Sequence, residues 1–140
     1  MKLKLAPGLA IEKSKIDGKG CFATILFPKG RKVAEYAGER ITHREGERRL
    51  KSRSKHRICA LDHGWSLDGS RGGNGTQYLN HSCEPNTYMR LTRGHLLFMA
   101  LRDIHPGEEI TCDYISTYHP DTYKCRCKAP TCRGTINRRP

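Results

Sequence analysis

A chain of 140 residues with 36% hydrophobic content has room for one domain and a modest core, not for two full domains. The opening MKLKLAPGLA lacks the long apolar run of a signal peptide or membrane span, which argues against a secreted or membrane-inserted chain. The formal charge of +12 is uneven: residues 1–60 carry 16 Lys/Arg against 6 Asp/Glu, residues 61–123 carry 4 against 8, and residues 124–140 carry 6 against none. A strongly basic chain suits an acidic partner such as nucleic acid, although a solvated basic face accounts for the same charge.

Short apolar runs separated by turn signals predict many short strands. In chain order these are Leu9–Ile11, Cys21–Leu26 after the turn Asp17-Gly18-Lys19-Gly20, and Lys32–Tyr36 after Pro28-Lys29-Gly30. Thr42-His43-Arg44-Glu45 has capping-box spacing and Glu47–Arg53 contains good helix formers, so one charged, largely solvated helix is expected there. Its Arg44, Arg48, Arg49, Lys51, Arg53 and Lys55 could contact nucleic acid. Further strands are expected at Ile58–Leu61, Trp65–Leu67, Tyr88–Thr92, His95–Leu101 and Glu109–Tyr114, with Arg93-Gly94 as a hairpin turn and Pro106-Gly107 as the turn before the last. The expected fold is mostly β, with one or two short helices and a cysteine-rich tail from about residue 118.

Seven cysteines cannot all pair, and grouped cysteines in a reducing interior more often bind metal than form disulfides. Cys125-Arg126-Cys127 followed by Cys132 supplies three thiolates that can wrap one tetrahedral zinc. Spacing alone leaves the fourth ligand open among Cys21, Cys59, Cys83 and Cys112. So short and basic a tail has almost no core of its own, and metal binding would be its folding energy.

Asn80-His81-Ser82-Cys83-Glu84-Pro85-Asn86 is too polar for a central strand and predicts an ordered loop. Gly107-Glu108-Glu109-Ile110-Thr111-Cys112-Asp113-Tyr114 reads as a turn leading into a strand that ends in Asp-Tyr. Neither segment identifies a function alone. Together, in this order and followed by the C-x-C-x4-C tail, they resemble the SET-domain family. Gly18-Lys19-Gly20 with Phe22-Ala23, the family's E-Y-x-G-E strand at Glu35–Glu39, Leu67-Asp68-Gly69, Gly73-Asn74 and Cys132-Arg133-Gly134-Thr135 extend the resemblance from about Leu9 to Thr135.

The resemblance implies a β-clip (SET) fold of several small sheets, with the C-terminal segment threaded under a loop as a pseudoknot. It divides the chain into a SET domain, 1–117, and a post-SET zinc tail, 118–140. It implies S-adenosylmethionine-dependent transfer of a methyl group to a lysine amine in a histone or another basic protein. Lys19, Gly20 and Cys21 would contact the cofactor through the backbone, where a glycine permits close approach. Asn80 and His81 would hold its methionine part and adenine. Cys83 would be the fourth zinc ligand beside Cys125, Cys127 and Cys132. Tyr114 corresponds to the family's catalytic tyrosine and Tyr36 to a second active-site tyrosine, with Tyr36 and Cys112 lining the substrate channel.

The sequence departs from the family pattern at three places. Cys112 stands where many members have Phe or Tyr, so no strict limit to monomethylation is expected. Gln77 replaces an arginine three residues before Asn80, and His56-Arg57-Ile58-Cys59 lacks a tyrosine often found at the start of this strand. Asp103, Glu108, Glu109, Asp113 and Asp121 suggest an acidic groove for a basic peptide, or simply a local balance for arginines. A non-catalytic module of the same fold and a basic zinc-containing nucleic-acid binder are the competing functional readings. No membrane partner is expected, the oligomeric state is open, and the setting is intracellular: cytoplasmic in a microbe, nuclear in a eukaryote or a host cell. A SET unit without an attached reader or anchor suits a small microbial enzyme.

Overall fold

The computed structural model describes residues 4–51, 57–114 and 124–136. As expected, the fold is mostly β: the described residues form three small sheets, one α-helix and a short 3-10 helix at Thr76–Tyr78. The first sheet has the order β1-β2-β10-β7, with β1 Leu9–Lys13, β2 Lys19–Ala23, β10 Glu109–Cys112 and β7 Asn80–His81. The second is β3-β9-β8, with β3 Lys32–Glu35, β9 His95–Ala100 and β8 Thr87–Thr92. The third is β4-β6-β5, with β4 Glu39–Thr42, β6 Trp65–Asp68 and β5 Ile58–Ala60.

Alternation along β9 places Leu96, Phe98 and Ala100 on a buried face, joined in the core by Ile104, Ile110, Cys21 and Leu79. The β8–β9 hairpin turns at Arg93 and Gly94, both with positive φ (48° and 78°), the pair of left-handed residues a tight hairpin requires. Helix α1, His43–Leu50, starts as its capping signal predicts: the Glu45 N–H donates to Thr42 Oγ1 at 3.2 Å. Only Gly46 of the helix is buried. Arg49 ties it to the third sheet, donating from Nη1 to Glu39 and, at 2.9 Å, to the fully buried Asp68, while its Nε reaches Glu45 at 2.9 Å. Arg48 also pairs with Glu45 but stays 71% exposed, so of the described basic side chains considered for nucleic acid Arg49 is the one held within the protein. Arg53 and Lys55 lie outside the described residues.

Two elements differ from expectation. The run Glu35–Glu39 is not one strand: β3 ends at Glu35 and β4 begins at Glu39, because the chain leaves one sheet for another over Tyr36–Gly38. Gly38 lies so close to the Asp68 backbone that a Cβ there would come within 2.5 Å of the Asp68 oxygen. Asn80–His81, expected as loop, forms a two-residue edge strand paired in parallel with β10, Thr111 opposite Asn80 and Cys112 opposite His81. Any threading of the chain beyond Tyr114 falls outside the described residues.

Candidate active site and metal cluster

The parallel pairing of β10 and β7 sets Asn80 and His81 beside the strand that leads to Tyr114, and β2 flanks β10 on its other edge. Asn80 fastens the first turn to this frame. Its Nδ2 donates to the carbonyls of Asp17 (3.0 Å) and Lys19 (3.2 Å) and to Glu109 Oε2 (3.0 Å). Ser14 Oγ donates to both Glu109 oxygens at 2.8 and 2.9 Å, closing the same knot. Gly20 lies against this pinned carboxylate, and a Cβ there would collide with it. Cys21 is wholly buried, and burial, reinforced by Glu109, pushes its thiol up to about 12. The Cys21 side chain belongs to the core, which leaves only its backbone to meet a ligand.

His81 is buried, and both ring nitrogens are engaged. Nδ1 accepts the Tyr114 N–H at 3.0 Å, which puts the proton on Nε2, and Nε2 points at Cys83 Sγ, 3.4 Å away. The imidazole also packs edge-on against the Tyr114 ring, centroids 5.3 Å apart. Ligand contact by His81 is thereby left to its backbone. The Tyr114 hydroxyl donates to the Leu79 carbonyl, and the Tyr36 hydroxyl to the Arg57 carbonyl. Tyr36 is buried at the junction of two sheets, edge-on to Phe98.

Cys59 and Cys112 complete this cluster. Cys59 lies beside Tyr36, and burial pushes its thiol up to about 12. Burial, with Cys59 and Asp113 nearby, raises the Cys112 thiol well above 9. Burial first, and then Cys112 and Cys59, raises Tyr114 well above the ordinary value of 10; burial, and then Cys59 and Tyr114, raises Tyr36 as well. Cys59 was not singled out from sequence for this cluster, and nothing local marks it; the β5–β6 pairing alone brings it here. Arg57, on the same strand edge, donates to the Gln77 carbonyl at 3.1 Å and lies over the Tyr78 ring at 4.6 Å. The guanidinium missing at position 77 is thus supplied to the same segment from position 57.

The four cysteines expected to hold zinc converge. The sulfurs of Cys83, Cys125, Cys127 and Cys132 all lie within 4.8 Å of one another, with Cys83 3.8 Å from Cys125 and 3.9 Å from Cys132. Four sulfurs at about 2.3 Å from a tetrahedral zinc stand roughly 3.8 Å apart, so the spacing fits the metal and is far too long for a disulfide. Backbone N–H groups of Cys83, Arg133 and Gly134 point at these sulfurs, as a thiolate cluster needs. Burial acts against ionising Cys127, but N–H donors from Cys83 and Ala129 and the neighbouring thiols pull its pKa down to about 6. The tail is tied to the body by Thr131 Oγ1 donating to Glu84 (2.7 Å) and by Arg133 gripping Asp113 through both terminal nitrogens (3.0 and 3.1 Å).

The acids expected to line a groove are mostly spoken for. Glu108 pairs with Arg102, Asp113 with Arg133, Glu109 with Ser14 and Asn80, and Asp103 accepts the Lys29 N–H; Asp121 lies outside the described residues.

The SET domain family matches residues 18–115. The chain belongs to the SET-domain family. Among its relatives, the histone-lysine N-methyltransferase ash1 of Drosophila melanogaster is 37% identical over 94% of this chain, and the H3 lysine-4 specific histone-lysine N-methyltransferase of Schizosaccharomyces pombe is 36% identical over 89%. These proteins are far longer, and the chain spans 6% and 14% of their respective lengths. A humanized mutant of the Polycomb Repressive Complex 2 of Chaetomium thermophilum superposes with a TM-score of 0.70 at 31% identity, covering 79% of this chain and 15% of that one. Among the described residues, no helix is long and apolar enough to cross a membrane.

Proposed function

We propose that this chain is a protein-lysine methyltransferase that uses S-adenosylmethionine and takes a histone or another basic, lysine-bearing segment as substrate. The observation that carries the proposal is the convergence of four distant segments on one spot: the turn before Lys19–Cys21, Asn80–His81, Tyr36 and Tyr114. The cofactor fits this place chemically. Gly20 makes room for the Glu109 carboxylate, Asn80 and Glu109 hold the first turn to β7 and β10, and the backbone of Lys19–Cys21 with the phenolic oxygens of Tyr36 and Tyr114 supplies polar groups to a ligand. The two parts of the chain, 1–117 and 118–140, would act as catalytic body and zinc tail, with zinc on Cys83, Cys125, Cys127 and Cys132.

When bound, S-adenosylmethionine supplies an electrophilic methyl group on a sulfonium. The lysine nitrogen gains a bond to that carbon as the sulfur–carbon bond breaks, and the amine's proton goes to solvent. Free lysine has a pKa of about 10.4, so the amine must be desolvated to react, which the buried Tyr36 and Cys112 with the half-buried Cys59 promote. Tyr114 and Tyr36 orient the reacting groups. Holding two atoms in line can supply about 7–11 kcal/mol of the barrier. The small Cys112 leaves room for more than one methyl group. In a eukaryote the setting would be nuclear, and exposed basic residues such as Arg44 and Lys51 would be available to nucleic acid.

The test is transfer of labelled methyl groups by the full chain to histones and histone peptides, with the modified residue located by mass spectrometry. Label is expected on lysine, with Tyr114→Phe slower by about 100-fold, the scale of losing one preorganised polar group at a reacting centre. Equal labelling by wild type and Tyr114→Phe would remove the tyrosine from the reaction, and label on no lysine at all would end the proposal.

A further inference from the structure

The cysteine cluster and Tyr114 are joined by a closed circuit of contacts. Arg133 lies between the zinc-cluster residue Cys132 and Gly134, and its own backbone N–H points at Cys83 Sγ, 3.4 Å away. Its side chain reaches out of the tail to Asp113, Nη1 to Oδ2 at 3.1 Å and Nη2 to Oδ1 at 3.0 Å. Nη2 also donates to the Ile136 carbonyl, while the buried Nε has no hydrogen-bond partner among the described residues. The fork is aimed at the carboxylate, not at solvent.

Asp113 immediately precedes Tyr114, and its Oδ1 lies 3.6 Å from His81 Nδ1. That same nitrogen accepts the Tyr114 N–H, and the other ring nitrogen faces Cys83 Sγ. From one sulfur, two paths therefore lead to the same backbone, one through His81 and one through Arg133 and Asp113. The pair is well shielded, Asp113 11% and Arg133 26% exposed in their side chains, and a bidentate guanidinium–carboxylate contact fixes orientation as well as distance.

We propose that Arg133 is a positioning residue: its grip on Asp113 transmits the folded state of the cysteine cluster to Tyr114, so that the assembled tail refines a position otherwise set by Leu79 and His81. Besides the sulfur cluster around Cys83, this grip and the Thr131–Glu84 hydrogen bond tie side chains of the tail to the body. Without the grip, the Asp113 carboxylate loses its two-point partner, and the backbone step into Tyr114 loses that constraint. The kinetic part of this inference rests on the methyltransferase reading; the structural part does not.

The experiment compares full-chain wild type with Arg133→Ala, Arg133→Lys, Asp113→Asn and the Arg133→Ala/Asp113→Asn double variant. Three quantities are read: zinc per chain and its release to a chelating dye, the ring resonance of Tyr114 in protein labelled with ¹³C-tyrosine (assigned with Tyr114→Phe), and kcat and KM for methyl transfer. In wild type, chelation is expected to move the Tyr114 resonance. Arg133→Ala, with zinc still bound, is expected to show it already moved, with kcat lower by about 10- to 100-fold, the penalty of misplacing a reacting group by about an ångström. KM for S-adenosylmethionine should stay within about threefold, as positioning rather than uniform binding is lost. Arg133→Lys should recover only part, since a single ammonium cannot reproduce the fork. The double variant should be no worse than the more affected single one, because both changes break one contact.

A zinc-loaded Arg133→Ala chain with the wild-type Tyr114 resonance and kcat would overturn the inference, as would single-variant effects that simply add. If Arg133→Ala fails to fold or to keep its metal, Arg133→Lys and Asp113→Asn carry the same comparison: a moved resonance with lowered kcat supports the inference, and wild-type values of both overturn it. If wild type transfers no methyl group, the functional proposal fails, while the resonance and zinc-release readings still decide the role of Arg133.

Discussion

Asn80 offers the sharpest test of how the site is held together. Its amide carries two hydrogens and faces three acceptors, so one hydrogen is shared between the Asp17 and Lys19 carbonyls while the other goes to Glu109. In Asn80→Ala, a shared neutral hydrogen bond of about 1 kcal/mol and a charge-assisted one of about 1.5–3 kcal/mol are lost. Glu109 keeps both contacts with Ser14, which spares it the full penalty of an orphaned carboxylate. The expected loss is about 3 kcal/mol, or roughly 10 °C in Tm for a domain of this size. Asn80→Asp is nearly isosteric yet should do worse than alanine. It replaces the donor with a carboxylate facing another carboxylate and two carbonyls, a repulsion of more than about 1 kcal/mol at this distance. Urea unfolding of the zinc-loaded chain, followed by circular dichroism at constant m, measures both. An aspartate variant as stable as wild type, or more stable than alanine, would show that the donor role of Asn80 is not what joins the first turn to β7 and β10.

Cys83→Ser should lower bound zinc from one per chain toward none and expose the tail to limited proteolysis, since metal binding supplies a short tail's folding energy; unchanged metal content would place the fourth ligand elsewhere. Cys112→Phe should shift the product mixture toward monomethyl-lysine, read by mass spectrometry, at a stability cost of about 1–3 kcal/mol for overpacking a buried position. The rate of methyl transfer should climb with pH toward 10 without a falling limb from Tyr114, whose pKa is raised well above 10 by burial; a fall that Tyr114→Phe abolishes would contradict this. Folding stability should decline as pH rises from about 9 toward 12. Cys21 and Cys59 are held protonated to about 12 when folded but ionise near 9 when unfolded, so their contribution is complete below 9 and lost above it. Urea midpoints across that range, compared with Cys21→Ala, provide the check.

Local chemistry made much of this readable in advance. Arg93-Gly94 announced the β8–β9 hairpin and Thr42 with Glu45 the start of α1, because turn and cap preferences act within four residues. Three of the four clustered cysteines were legible from spacing; Cys83 lies 42 residues before Cys125, and only the family resemblance singled it out. The break at Tyr36–Gly38 was not visible, since a switch between sheets depends on how closely Gly38 meets the Asp68 backbone. Cys59 and Arg133 were missed as site residues for the same kind of reason. Their partners, Tyr36 and Asp113, lie 23 and 20 positions away, and no periodicity encodes such contacts.

The way the two tyrosines are tethered bears directly on what they can do. Each hydroxyl donates its hydrogen to a backbone carbonyl, Tyr36 to Arg57 and Tyr114 to Leu79. A phenol whose proton is already engaged cannot also donate it to a reacting group, and what it offers toward a ligand is its remaining lone pair. Burial, with thiols nearby, holds both groups above their usual range, and ionising either would also set a bare phenolate against a carbonyl oxygen. A base is thereby excluded, and an acceptor is retained. Oxygen lone pairs fixed by rigid backbone are suited to orienting an amine's N–H bonds and a polarised methyl group, which is the work an in-line transfer requires. In this site a tyrosine is useful because it keeps its proton.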